Sequence, residues 1–125
     1  MSTLREDAKY IYTHAIEAVL PDEAVRRALT GQSFPGRVIL VAAGKAAWRM
    51  ASAAKAALGG RIETGIVITK YDHVLSPIPG LICREAGHPV PDGNSFSATR
   101  EALAIELLER EQDRYDSIVK LSELL

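Results

Sequence analysis

The sequence predicts an α/β fold, a mainly parallel sheet with helices on its faces. Three observations predict it. Helical and strand-like segments follow one another in an order that suits such layers. The run Val38-Ile39-Leu40-Val41-Ala42-Ala43 is apolar throughout, as in a strand covered on both faces within a parallel sheet. The polar and glycine-bearing segments that could carry chemistry follow directly after strands, where ligands bind in sheets of this kind.

The elements can be justified in turn. Thr3, with Glu6 three residues on, has the spacing of a capping box and opens a first helix. Leu4, Ala8, Ile11, Ala15 and Val19 then recur on one helical face. Pro21 ends that helix and opens a second, with Asp22 and Glu23 in its first turn, where carboxylates suit the positive end of the helix dipole. Gly31 is its stop. After the turn at Phe34-Pro35-Gly36, residues 37–43 form the buried strand and Gly44 closes it. A helix over 45–58 carries Ala47, Met50, Ala51, Ala54 and Leu58 on one side, with alanines small enough for close approach, and Gly59-Gly60 ends it. Residues 65–69 are a second strand and 81–86 a third, less apolar one. Two prolines and two glycines keep residues 87–93 irregular, and Asn94 or Ser95 can cap a last long helix to about 111. Residues 109–116 hold six charges in eight positions, and 117–125 return to apolar character, as a docking turn, a strand or a stub.

Composition bounds the function. A chain of 125 residues is one domain, with 47% hydrophobic and 25% charged residues, and can bury a core without disulfide or metal. A net charge of −1 argues against a general nucleic-acid binder, a local basic patch aside. No apolar run approaches the roughly 20 residues of a membrane span. The first residues, with acids at Glu6 and Asp7, do not read as a signal peptide. One cysteine, Cys83, leaves no internal disulfide and fits a reducing, cytoplasmic setting.

Three segments can carry chemistry. Gly44-Lys45-Ala46-Ala47 is neither a P-loop nor a dinucleotide fingerprint, since the required glycines and hydroxyl are missing. A helix start nonetheless offers free N–H groups to an anion, and Gly44 permits close approach. Lys45, Arg49 and Lys55 share a helix that contains no acid, an arrangement that makes sense around an anion. A lysine that simply reaches solvent is the plainer reading. In Ala86-Gly87-His88-Pro89-Val90-Pro91-Asp92, His88 can bind a substrate oxygen or move a proton, or fix its own loop by a hydrogen bond. Asp92 can hold a metal-bound phosphate, but capping the following helix is the better reading of its position. Lys70 and His73 follow the second strand, at the same sheet edge as Lys45, although a lysine ending a strand is usually solvated. Cys83 and Trp48 read as packing residues and His14 as a surface or boundary residue. No set of acids and histidines has metal-ligand spacing, so no metal site is expected.

These segments bring a family into view. Gly44-Lys45-Ala46-Ala47, Val67-Ile68-Thr69-Lys70-Tyr71 and Ala86-Gly87-His88-Pro89-Val90-Pro91-Asp92 follow one another in order, preceded by Leu4-Arg5-x-Asp7-Ala8 and Val25-Arg26-Arg27-Ala28-Leu29. Over about residues 4–108 the chain resembles the N-terminal part of the glycerate 2-kinases of the MOFRL type, some labelled hydroxypyruvate reductase. The resemblance implies a Rossmann-like three-layer sandwich, incomplete relative to the family. Residues 1–111 would be the partial N-terminal domain and 112–125 a divergent charged and apolar tail. It also implies ATP-dependent phosphorylation of glycerate at its 2-hydroxyl, with ATP and Mg2+, and a role for Lys45 as the catalytic cation. With the spacing argument, the candidate substrate- or phosphate-binding residues are Gly44, Lys45, Arg49, Lys70, His88 and Asp92. The chain departs from the family in having Lys70-Tyr71-Asp72-His73 where Lys-Tyr-Gly-His is usual, which predicts a reshaped loop. It also lacks the family's Ser-Gly-Gly-Gly-Ser loop and second domain, with its catalytic arginine, so the chain alone is expected to be weak or inactive. The expected partners are glycerate and a nucleotide, with no nucleic acid and no membrane. A homo-oligomer or a complementing chain is left open. Two other readings compete: a non-catalytic small-anion or nucleotide-binding module, and an assembly subunit completed by another chain.

Overall fold

The computed structural model describes residues 1–34, 36–111 and 117–122. The elements run α1 (Leu4–Ala18), α2 (Pro21–Thr30), β1 (Val38–Ala43), α3 (Ala47–Leu58), a short 3₁₀ turn (Gly59–Arg61), β2 (Ile62–Lys70), β3 (Ile82–Ala86), α4 (Gly93–Glu111) and β4 (Ser117–Ser122). The four strands form one sheet in the order β3-β2-β1-β4, and every pairing is parallel. Because the strands share one direction, their carboxyl ends meet at one edge. Gly44, Tyr71 and Gly87 all leave the sheet there.

The apolar run of β1 makes it the centre of the core. Val38, Ile39, Leu40 and Ala42 are buried. Side chains alternate between the faces of a strand. Val38, Leu40 and Ala42 belong to one cluster with Val25 and Leu29 of α2 and Ala47, Ala51 and Ala54 of α3. On the reverse face Ile39 and Ile66 are buried as well, and α4 packs on β2 and β3 with Ala98 buried. The alanine side of α3 thus packs as its composition predicts.

β2 starts three residues earlier than the sequence indicates, because Gly65 lies inside the strand and does not mark its beginning. A Cβ at Gly65 would stand 2.1 Å from the Leu40 carbonyl oxygen and 2.9 Å from Leu81 Cδ2, so only glycine fits between β1 and the chain before β3. The capping box of α1 is present: Thr3 Oγ1 accepts from Glu6 N at 3.2 Å and Glu6 Oε2 accepts from Thr3 N at 2.7 Å. Pro21 occupies the first turn of α2 and Gly31 its C-cap. The α1 stripe does not enter the core, however, and no α1 residue is buried. Residues 117–122, left open by the sequence as turn, strand or stub, are a strand, with Val119 buried against the α2–α3 core. The charged stretch over 112–116 lies outside the described residues. Among the described residues no helix is long and apolar enough to cross a membrane.

Candidate functional site

At the tip of β1 the chain turns through Gly44, whose φ of +125° is open to glycine and strained for other residues. Gly44 N donates to the Ile68 carbonyl at 3.0 Å, which continues the β1–β2 ladder into the turn. The buried Thr69 then donates its hydroxyl to the Lys45 carbonyl at 3.1 Å. These bonds set where the Lys45 side chain leaves the sheet edge. α3 starts at Ala47, with Ala46 as N-cap and no side chain capping it. Lys45 therefore precedes the helix and does not sit in its first turn, as the sequence had implied.

The cations of this region have protein partners. Arg49 Nε donates to Asp22 Oδ1 at 2.9 Å and Nη2 to Oδ2 at 3.4 Å. Lys55 Nζ donates to the Ile62 carbonyl at 3.2 Å. α3 has no acid of its own, but α2 supplies one, so the charge pattern of α3 alone does not call for an anionic ligand. A recess of about 210 Å³ opens beside Lys45, lined by Ala46, Trp48, Arg49, Asp72, His73 and Leu75. A larger cleft of about 510 Å³ lies between α2 and α3, beyond Arg49.

The loop after β2 is tied down at three points. Trp48 Nε1 donates to the Ser76 carbonyl at 2.8 Å, Val74 N donates to Glu85 Oε2 at 3.2 Å, and Tyr71 Oη donates to Asp92 Oδ2 at 2.6 Å. Asp72 has a φ of +66°. That is the left-handed region, where glycine is at ease and aspartate is tolerated. Asp72, expected from the family pattern to reshape this loop, thus holds a backbone conformation that glycine would also adopt.

Asp92 caps α4, the role its position favoured, in place of the expected Asn94 or Ser95. Ser95 N donates to Asp92 Oδ1 at 3.1 Å, and Ser95 Oγ accepts from Asp92 N at 3.0 Å. The Tyr71 hydroxyl, then the Gly87 N–H, then the Ser95 groups hold the Asp92 carboxylate charged and lower its pKa to about 2. The same bond raises the Tyr71 pKa, since a carboxylate beside the phenol opposes its ionisation. Asn94 Nδ2 completes the group by donating to Tyr71 Oη at 2.8 Å.

His88 is half-buried in this turn, and its ring has no hydrogen bond among the described residues, so the loop-fixing bond considered from sequence is not there. Lys70 closes β2, in register with Ala86. The structure thus gathers Lys45 and Arg49 with Asp72 and His73 in one recess. It ties the His88 turn to the Tyr71 loop, while His88, Asp92 and Lys70 leave the same sheet edge without lining that recess. Tyr71, Asn94 and Asp72 were not among the candidate site residues read from the sequence. The tyrosine's position directly after a strand-ending lysine was the available signal. Among the described residues no three His, Cys, Asp or Glu side chains come together as a metal site.

Known proteins match this chain over most of its length. Residues 7–122 match a family model described as a domain of unknown function, DUF4147. The D-glycerate 2-kinase of Thermotoga maritima is 50% identical over 103 residues, covering 82% of this chain and 24% of that protein. The glycerate 2-kinase of Pyrococcus horikoshii is 35% identical over 121 residues, covering 88% and 27%. A putative hydroxypyruvate reductase of Agrobacterium vitis is 36% identical over 100 residues, covering 80% and 22%. The crystal structure of glycerate kinase from Thermotoga maritima superposes with a TM-score of 0.72 over 82% of this chain and 24% of that one. The chain spans about a quarter of the length of the curated relatives it matches. With the parallel sheet, the Gly44–Lys45 turn and these matches together, the chain belongs to the DUF4147 family and is homologous to the N-terminal part of glycerate 2-kinases.

Proposed function

We propose that the chain forms the N-terminal part of a glycerate 2-kinase active site, in which ATP phosphorylates the 2-hydroxyl of glycerate. The observation that carries this reading is the convergence of the Gly44–Lys45 turn, the Lys70–His73 loop and the Gly87–Asp92 turn on one edge of a parallel sheet, in a chain 50% identical to a D-glycerate 2-kinase. In the reaction the glycerate 2-oxygen bonds to the γ-phosphorus and the bond from that phosphorus to the β-bridging oxygen breaks, releasing ADP. Such a transfer needs chiefly positioning and positive charge.

Lys45 supplies that charge to the substrate carboxylate or the transferring phosphoryl group, with the Gly44 backbone beside it. Arg49, braced by Asp22, borders the recess and Lys70 adds charge at the strand end. His88, whose ring has no hydrogen bond among the described residues, is the group suited to take the hydroxyl proton. Asp92 works through Tyr71 and Gly87 to hold the His88 turn. The described residues form no metal cage of their own, so Mg2+ would arrive on the nucleotide phosphates, which suits magnesium's habit of keeping few protein ligands. A cytoplasmic setting fits the unpaired Cys83.

Amide NMR of the chain, titrated separately with D-glycerate and Mg-ATP, tests the reading. Saturable shifts over 44–49 and 87–92, lost in Lys45→Ala, are expected. A folded spectrum that neither ligand changes overturns it. Binding without phosphoryl transfer, even after the remainder of a relative is supplied in trans, favours a small-anion or nucleotide-binding module instead.

A further inference from the structure

Arg49 is held from outside the recess it borders. It stands in the first turn of α3, and its partner Asp22 in the first turn of α2. Nε and Nη2 donate to the two carboxylate oxygens at 2.9 and 3.4 Å, a two-point contact that fixes the plane of the guanidinium. Nη1 makes no hydrogen bond among the described residues. Asp22 borders the α2–α3 cleft and does not line the recess, whereas Arg49 borders both and shares the recess with Lys45. The pair does little to hold the fold. The two side chains are 41% and 48% exposed, and an ion pair so placed adds little stability. α2 and α3 already share one apolar core through Val25, Leu29, Ala47, Ala51 and Ala54. What the contact does is keep a second cation near Lys45, although like charges repel and the start of a helix disfavours a cation.

We infer that Asp22 is a positioning residue of the proposed kinase site: it holds Arg49 by the Nε–Nη2 edge and leaves Nη1 for the anionic group bound beside Lys45. The inference rests on reading the recess as the anion site of a glycerate 2-kinase, and it adds the residue that prepares that site. A free arginine side chain loses much rotamer freedom when it binds, and one already tethered has less to lose. The group it meets is a carboxylate or a phosphate, both of which accept guanidinium N–H donors. Positioning and plain electrostatics predict opposite signs here. Asp22 is itself an anion near the site, so by charge alone its removal should tighten the binding of another anion. If Asp22 serves to hold Arg49, its removal should weaken that binding.

Isothermal titration of the whole chain with D-glycerate and, separately, with inorganic phosphate tests it. Asp22→Ala should weaken binding by about fivefold or more, the scale of the arginine freedom that binding must then freeze. Asp22→Asn, which keeps an acceptor for Nε without the charge, should fall between Asp22→Ala and wild type. With Arg49→Ala already in place, Asp22→Ala should cost nothing further, because Asp22 acts through Arg49. Unchanged or tighter binding by Asp22→Ala overturns the inference. An equal loss in the Arg49→Ala background overturns it too, since Asp22 would then act on its own. Both of those outcomes leave the kinase reading standing. A wild-type chain that binds neither glycerate nor phosphate overturns the reading of the recess as an anion site, and this inference with it.

Discussion

Tyr71 donates its hydroxyl hydrogen to Asp92 over 2.6 Å and so joins the loop after β2 to the turn after β3. The bond spans two segments that the sheet brings side by side, and it makes the Tyr71 loop and the His88 turn one unit.

Removing that bond should release Asp92. In Tyr71→Phe the Asp92 pKa is expected to climb from about 2 toward the ordinary 3.8, because the first cause of its depression is gone. The folded value lies below the unfolded one, so Asp92 supports the fold above about pH 4 and that support is lost as pH falls through about 2. Carboxyl NMR titration of both proteins reads the shift directly. An unchanged Asp92 titration would assign the depression to the Gly87 and Ser95 bonds instead.

Asp72→Gly should stabilise the protein by up to about 1 kcal/mol. The left-handed backbone at this residue costs an aspartate more than a glycine, and the greater unfolded-chain entropy of glycine offsets part of the gain. Urea unfolding curves give the answer, and a loss of stability would mean that the Asp72 side chain contributes more than its backbone costs.

Gly65→Ala should be severely destabilising, by about 3 kcal/mol or more, because the new methyl would meet the Leu40 backbone oxygen, which cannot move aside without parting β1 from β2. The same denaturation measurement checks it.

Lys45→Ala should weaken glycerate or nucleotide binding about tenfold or more, the scale of one charge-assisted hydrogen bond. Lys45 is exposed, so the unfolding midpoint should stay within about 0.5 kcal/mol of wild type. Isothermal titration of the variant beside Lys70→Ala would rank the two lysines. Equal affinities for wild type and Lys45→Ala would remove Lys45 from the site.

Much of the fold was legible because its signals are local. The unbroken apolar run of β1, the alanine side of α3 and the Thr3–Glu6 capping box each announce themselves within a few residues. Gly65 misled because close approach to Leu40 is a property of sheet register, which no single segment encodes. The α1 stripe was visible as one helical face, but periodicity does not report what covers a face, and no α1 residue is buried. At the site, Lys45 and His88 could be picked out by residue type and position. The Tyr71–Asp92 and Arg49–Asp22 bonds could not, since their partners lie 21 and 27 residues apart and meet only once the layers are packed.

The pairing of Val38–Ala43 with Ser117–Ser122 has a consequence for synthesis. As the chain leaves the ribosome, β1 gains β2 early, but its other edge waits until α4 has been made. Through that interval one side of the most apolar strand offers bare N–H and C=O groups, the kind of template on which nascent chains aggregate. The strand that carries Gly44 and Lys45 at its tip is thus closed on its second side only when β4 emerges, and crowding or chaperone supply during translation should govern how much protein reaches the finished sheet.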